Sequence, residues 1–274
     1  MGFRAIATDL DGTLLRTDRS VSDRTRAAIL AAEDAGILVV IATGRPPRWI
    51  APVIDQLGDR GLVVCANGAI VYDPSRHEMV ARIEIEPEVA RGLVDDLQVA
   101  FPMGLIGVEQ GFEPFAVDEA IVAHEPALFE RWKRGELRTG PIRSFLEQPV
   151  TKMILRLPDA PEGTAARAQQ IVGERALVTH ASSEAFLELS HPSVHKAATV
   201  ERLLGESSIE PGEVVAFGDM PNDIELIRWA GLGVAVANAD PAVKQAADEV
   251  TSSNDDDGVA IVIERLLASD HSIS

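Results

Sequence analysis

Asp9 and Asp11 stand two residues apart in Thr8-Asp9-Leu10-Asp11-Gly12-Thr13, directly after the short apolar run of Ala5, Ile6 and Ala7. That run reads as a buried strand that stops at a carboxylate, and Gly12-Thr13 turns the chain where the strand ends. In an open parallel sheet, ligands sit outside the carboxyl ends of strands, which puts both acids at the mouth of such a site. Two such charges about 4 Å apart repel by roughly 4 kcal/mol at an effective dielectric of about 20. A divalent cation is the simplest compensation, and a hard, oxygen-rich site suits Mg²⁺. A solvated aspartate turn fits these six residues equally well. A calcium loop fits worse, because its glycine belongs at the sixth position and Gly12 is at the fourth, counting from Asp9.

Three further apolar runs end in residues able to do chemistry. The run 37–41 leads into Thr43-Gly44-Arg45-Pro46, the run 62–66 into Asn67-Gly68, and the run 213–217 into Gly218-Asp219-Met220-Pro221-Asn222-Asp223. Lys196 opens a helix over 196–204. Each feature alone is weak; in this order, each at a strand end or a helix start, they form one constellation.

The elements that must carry these groups follow from punctuation and period. Residues 24–35 read as a helix, with Ser22 or Asp23 as N-cap and Gly36 as stop. The strand at 37–41 is apolar on both faces, which suits a parallel sheet covered by helices. Asn67-Gly68 between apolar runs is a hairpin pattern. From about residue 80 the texture changes. Residues 82–85 alternate as a strand with one wet face, and a helix is expected over 87–99 with Pro87 in its first turn. Residues 101–150 carry scattered Pro, Gly and aromatics and yield no clear element. Strands are expected at 151–157, 176–179 and 185–189, with a helix over 162–172. Buried-sheet texture then returns, with helices at 224–230 and 259–267. Gly231 and Gly233 end a helix and open a strand, the reverse of a dinucleotide fingerprint.

Taken together, Asp9-Leu10-Asp11-Gly12-Thr13, Thr43-Gly44-Arg45, Lys196 and Gly218-Asp219-x-x-Asn222-Asp223 resemble the four motifs of the haloacid-dehalogenase-like (HAD) phosphotransfer superfamily. Asn67-Gly68-Ala69 and the tail from Val250 to Ala260 resemble its Cof-type branch, which has a type IIB cap. The sequence departs from that branch at His195 and Ala197, where the family more often has a small or polar residue and a glycine. The resemblance implies an α/β fold: a doubly wound, mainly parallel, Rossmann-like core at 1–80 and 187–274, with an α+β cap at 81–186. It implies Asp9 as nucleophile, Asp11 as general acid and base, and Lys196 as a catalytic cation. Thr43, Gly44, Arg45 and Asn222 would hold phosphate or substrate. Mg²⁺ would be held by Asp9, the Asp11 carbonyl and Asp219, with Asp223 as a direct or outer partner. The activity implied is Mg²⁺-dependent hydrolysis of small phosphate monoesters, such as a sugar phosphate, through an aspartyl-phosphate. A phosphosugar mutase of the same superfamily and a non-catalytic sugar-phosphate sensor are the alternatives.

Composition narrows the partners. The 274 residues carry a formal charge of −18, which argues against a nucleic-acid surface and requires local cations for an anionic substrate. The single cysteine, Cys65, excludes an internal disulfide and reads as a buried structural thiol. No targeting segment or membrane span is read, so cytoplasm is expected, and monomer and dimer are both open. Arg45 reads either as a substrate contact or as a helix-start surface residue. His191 and His195 are separated by Pro192 and do not form a helical metal pair. Asp255-Asp256-Asp257 reads as a solvated acidic turn, and Trp132, Phe129 and Leu128 as packing within the cap.

Overall fold

The structure, a computed structural model, describes residues 2–59, 61–119, 135–180 and 185–270. They form two compact units, one of residues 1–81 and 195–274 and the other of residues 82–194.

The first unit opens with β1 (Ala5–Thr8), α1 (Asp23–Asp34), β2 (Leu38–Ala42), α2 (Ala51–Leu57), β3 (Val63–Cys65), β4 (Ile70–Asp73) and β5 (Glu78–Arg82). Ser22 caps α1 by accepting the Thr25 amide, the partner an N-cap serine satisfies at the orphan end of a helix. The second unit follows with α3 (Pro87–Ala100), β6 (Leu105–Glu109), β7 (Phe115–Asp118), β8 (Leu137–Gly140), β9 (Lys152–Arg156), α4 (Thr164–Val172), β10 (Leu177–His180) and β11 (Phe186–Ser190). The chain then returns to the first unit through α5 (Lys196–Gly205), β12 (Val214–Gly218), α6 (Ile224–Trp229), β13 (Leu232–Ala235), α7 (Pro241–Ala246), β14 (Glu249–Val250) and α8 (Gly258–Asp270).

The first sheet runs β14-β13-β12-β1-β2-β3-β4-β5. The pairs from β14 to β3 are parallel, and β3 with β4 is antiparallel. β1 is central, flanked by β12 and β2, and the strand order reverses there. A sheet of this kind binds ligands at such a switch point. Its strands are buried throughout at Ala5–Thr8 and Val214–Gly218, because helices pack on both faces. Gly233 is needed where α6 crosses β13: a Cβ there would lie 2.3 Å from the Ile227 carbonyl oxygen. The glycines at this turn thus serve close packing.

The second unit has a six-stranded sheet in the order β10-β11-β9-β6-β7-β8, antiparallel except between β7 and β8. Met153 and Leu155 of β9 and Leu187 and Leu189 of β11 pack into a core with Leu93, Val94 and Leu97 of α3. Two expectations change here. The strand expected at 82–85 is instead β5, Glu78–Arg82, and beyond it only Ile85 makes an isolated bridge, to Val150. The return to the first unit falls at His195 rather than at 187, because β11 pairs with β9 and β10 inside the second sheet. Trp132, Phe129 and Leu128 lie outside the described residues. Among those residues no helix is long and apolar enough to cross a membrane.

Candidate active site

Asp9 follows the last residue of the central strand, and its amide donates to the Phe217 carbonyl on β12 at 3.0 Å. Asp219 follows β12, and Asp223 lies one turn further on. Asp9, Asp219 and Asp223 are all buried, and each brings a carboxylate oxygen within 4.8 Å of the others. Lys196, the first residue of α5, is buried among them, bonding Asp9 and donating to Asp223 at 2.7 Å. A cation at a helix N-terminus opposes the helix dipole; the two carboxylates offset that cost. The second Asp223 oxygen accepts the amides of Asp219 and Met220, each at 3.1 Å. This carboxylate therefore fixes both the lysine and the loop that carries Asp219. Asp219 in turn accepts the Thr13 hydroxyl at 2.7 Å. Gly12, at φ +82°, must lack a side chain, because a Cβ would stand 2.5 Å from the Asp219 carboxylate.

The charges do not balance: three carboxylates share one lysine. At an effective dielectric of about 20, each carboxylate pair at this range repels by about 3 kcal/mol. Burial first, and then the Asp223 and Asp219 charges, push the Asp9 carboxyl up to about 8 against the pull of Lys196. Burial likewise pushes Asp219 up to about 6. Burial alone would lower the Lys196 ammonium, yet Asp223 and Asp9 outweigh it and hold the group above its ordinary value. The lysine gains two anions, while each carboxylate receives half a lysine and repulsion from its neighbours. A buried all-oxygen donor set with excess negative charge fits a hard divalent cation.

This imbalance sets a pH dependence. The folded chain holds protons on Asp9 and Asp219 that the unfolded chain releases near pH 4, so their contribution to stability is full below about pH 4 and is lost as pH rises through about 6 and about 8. In chelator, the melting temperature is expected to fall by roughly 10 °C between about pH 5 and about pH 8, and saturating Mg²⁺ should remove most of that fall. Thermal melts across that range check it; a metal-free Tm that is flat or rises contradicts the charge imbalance.

Asp11 stands outside the acidic group. Its carboxylate, about half exposed, receives Arg45 through Nε at 2.7 Å and Nη2 at 2.5 Å, and Arg45 Nη1 also reaches the Trp49 carbonyl at 3.3 Å. Arg45 is thus held as a fork on a carboxylate of its own chain and is not a loose surface residue. Thr43 is buried and its hydroxyl accepts the Arg45 amide at 3.1 Å. Gly44 lies beside Asn67: a Cβ on it would be 3.2 Å from the Asn67 side-chain oxygen. Asn222 is exposed and donates to that same oxygen at 3.0 Å. His195, the departure from the resemblance, caps α5 by accepting the Ala198 amide on Nδ1 at 3.2 Å. Ala197 is buried in the core beside Val200.

The tail does more than the sequence reading allowed. Asn238 donates to the Gly12 carbonyl at 2.7 Å, and its oxygen is fixed by the Asn254 amide at 3.0 Å. The Asn254 side chain holds the Leu15 carbonyl at 2.9 Å. Asp255 accepts the Thr17 amide and hydroxyl, and Asp257 pairs with Arg16 at 2.8 Å. The acidic turn is therefore a clamp on the loop that carries Asp9 and Asp11, and not merely solvated. The tail's family likeness was the one available hint. Lys152 of the second unit is buried and paired with Glu188 at 2.8 Å.

Residues 6–263 match the haloacid dehalogenase-like hydrolase family. The chain is 30% identical to the Bacillus subtilis 5-amino-6-(5-phospho-D-ribitylamino)uracil phosphatase YcsE, over 95% of this chain and 94% of that protein. It is 28% identical, with a TM-score of 0.77, to a haloacid dehalogenase-like hydrolase from Bacteroides thetaiotaomicron, covering 96% of this chain and 99% of that one. It shares its fold, at a TM-score of 0.78 and 22% identity, with the HAD subclass IIB sugar phosphatase BT4131, over 96% and 98% of the two chains. The chain belongs to the haloacid dehalogenase-like hydrolases, in their Cof-type branch, and stands among the family's phosphatases.

Proposed function

We propose that this phosphatase hydrolyses small phosphate monoesters, a sugar phosphate or similar metabolite, with Mg²⁺ and through an aspartyl-phosphate on Asp9. The observation that carries the reading is the buried group of Asp9, Asp219 and Asp223 around Lys196 at the end of the central strand. A carboxylate oxygen of Asp9 attacks phosphorus, the bond to the ester oxygen breaks, and one difficult step becomes two. Asp11 gives its proton to the departing oxygen and later takes one from the water that attacks the aspartyl-phosphate. To do so it exchanges Arg45 for the substrate's leaving group. Thr43, the Gly44 amide, Lys196 and Asn222 hold the phosphoryl oxygens, where transition-state charge gathers. Lys196 is also the local cation that an anionic substrate needs against the net charge of −18.

Asp9, the Asp11 carbonyl and Asp219 would hold Mg²⁺, and Asp223 supports them through Lys196 and the amides of Asp219 and Met220. When bound, the ion supplies charge neutralisation at the phosphoryl oxygens. The inserted unit, residues 82–194, is proposed to select the substrate.

Phosphate release across a metabolite panel tests the reading. Isomerised product without phosphate release would identify a mutase instead, and tight ester binding with no turnover a sensor. Activity is expected to vanish in chelator, to return with Mg²⁺, and to stay at least about tenfold lower with Ca²⁺, which prefers more ligands at longer range. Full activity in chelator would refute the metal requirement.

A further inference from the structure

The turn Ala66-Asn67-Gly68 is not used in the chemistry above, yet its backbone is held in an unfavourable conformation. These three successive residues have φ of +50°, +57° and +112°. Only glycine enters that region freely; an L-residue's Cβ meets its own carbonyl there. Such a conformation persists only where its surroundings over-determine it. Here they do. The Ala66 amide donates to the Arg45 carbonyl at 2.9 Å and the Asn67 amide to the Thr43 carbonyl at 3.0 Å. The Thr199 hydroxyl of α5 donates to the Gly68 carbonyl at 2.8 Å, and a Cβ on Gly68 would stand 2.7 Å from the His195 carbonyl oxygen. The turn is therefore fastened both to the loop after β2 and to the first turn of α5.

The fastening sets the place of one side chain. The Asn67 oxygen accepts from Asn222 Nδ2 at 3.0 Å, and it borders Gly44 closely enough that a Cβ there would stand 3.2 Å from it. A single carboxamide thus bonds Asn222, after β12, and occupies the space into which a side chain on Gly44, after β2, would point. Resting on the phosphatase reading above, we propose that Asn67 is a positioning residue of the phosphoryl-binding groups. By accepting one N–H of Asn222 it fixes which way that amide faces, so the second N–H is aimed rather than free to flip. By filling the space beside Gly44 it sets how far that backbone can shift.

Asn67→Gly tests this, because glycine takes the same φ without strain and removes only the carboxamide. Its Tm should equal or exceed that of the wild type. KM for a turned-over phosphate ester and the inhibition constant of inorganic phosphate should both rise about tenfold, with kcat also lowered, as expected when an orienting partner is lost. In the Asn222→Ala background, Asn67→Gly should lose most of its effect, since the group it orients is gone. The inference is overturned if Asn67→Gly leaves KM and phosphate inhibition within about twofold of wild type. It is also overturned if only kcat falls together with Tm, which marks a smaller active fraction, or if the two substitutions act additively. A wild-type chain inactive on every ester is a separate result: it defeats the phosphatase reading and this inference with it.

Discussion

Asp9→Asn is expected to abolish turnover of every phosphate ester and to abolish covalent labelling by beryllium fluoride, while the protein stays folded. The carboxamide lacks the anionic oxygen that would attack phosphorus, and no neighbour can replace it: Asp219 is engaged by Thr13, and both Asp223 oxygens are held by Lys196 and backbone amides. Losing a nucleophile of this kind costs on the order of 10⁴-fold or more in kcat. The same substitution has an opposite effect on stability. Asn resembles the protonated acid, and the buried Asp9 carboxyl is pushed up to about 8. The metal-free Asp9→Asn protein should therefore lose less stability as pH rises, and its Tm at about pH 8 should match or exceed that of the wild type. Labelling and turnover are read by mass spectrometry and phosphate release, and the Tm by thermal melts in chelator. Near-normal activity in this variant would sink the mechanism; a steeper pH dependence of Tm would sink the electrostatic account.

The contrast between what sequence showed and what it hid follows from the range of the contacts. Asp9, Thr43 and Asp219 were legible because each ends a run of apolar residues buried on both faces, and Gly or Pro marks the turn beyond it. Ser22 and Pro87 were legible for the same local reason, being at helix starts. The strands β6, β7 and β8 were not. They are four or five residues long, and Gly107 in β6 looks like a breaker. Its role is steric, since a Cβ would lie 2.4 Å from the Phe115 ring on the neighbouring strand. Nothing near Gly107 in sequence announces that ring.

Partners far apart in the chain were hidden altogether. The Asn238 bond to Gly12 spans 226 positions and the Asn254 bond to Leu15 spans 239. Asp255 and Asp257 looked like solvated charges because Thr17 and Arg16, which they hold, are a whole chain away. The Asp11–Arg45 fork joins two recognised motifs, but neither motif states that they bond to each other. Residue type and local turn chemistry thus located the groups proposed to react, and the groups that position them came from contacts that only folding makes.

Lys196→Ala is expected to slow all substrates alike and to destabilise the fold markedly. The side chain is almost wholly buried, bonded to Asp9 and Asp223. Removing one partner of a buried ion pair leaves an uncompensated charge and costs about 3–5 kcal/mol; here Asp223 loses its counter-ion and the Asp9 carboxyl loses the lysine it bonds. For a chain of this size that is a Tm loss of roughly 10 °C. Mg²⁺ should narrow the deficit, because a cation at Asp9 and Asp219 restores part of the missing charge. The kinetic loss has a different origin. In its proposed role the ammonium stabilises charge on phosphoryl oxygens that every substrate would share, so kcat/KM should fall by about 10²–10³-fold for each ester, with their ranking preserved. Substitutions in the inserted unit should do the reverse, re-ordering substrates while Asp9 can still be phosphorylated. Lys152 is a poor choice for that comparison, since its removal would leave the largely buried Glu188 without the lysine it holds. The measurement is kcat/KM for several phosphate esters, with Tm taken with and without Mg²⁺. Should Lys196→Ala change the order of substrates while barely changing their rates, the lysine acts on the leaving group and its assignment to the phosphoryl oxygens is wrong.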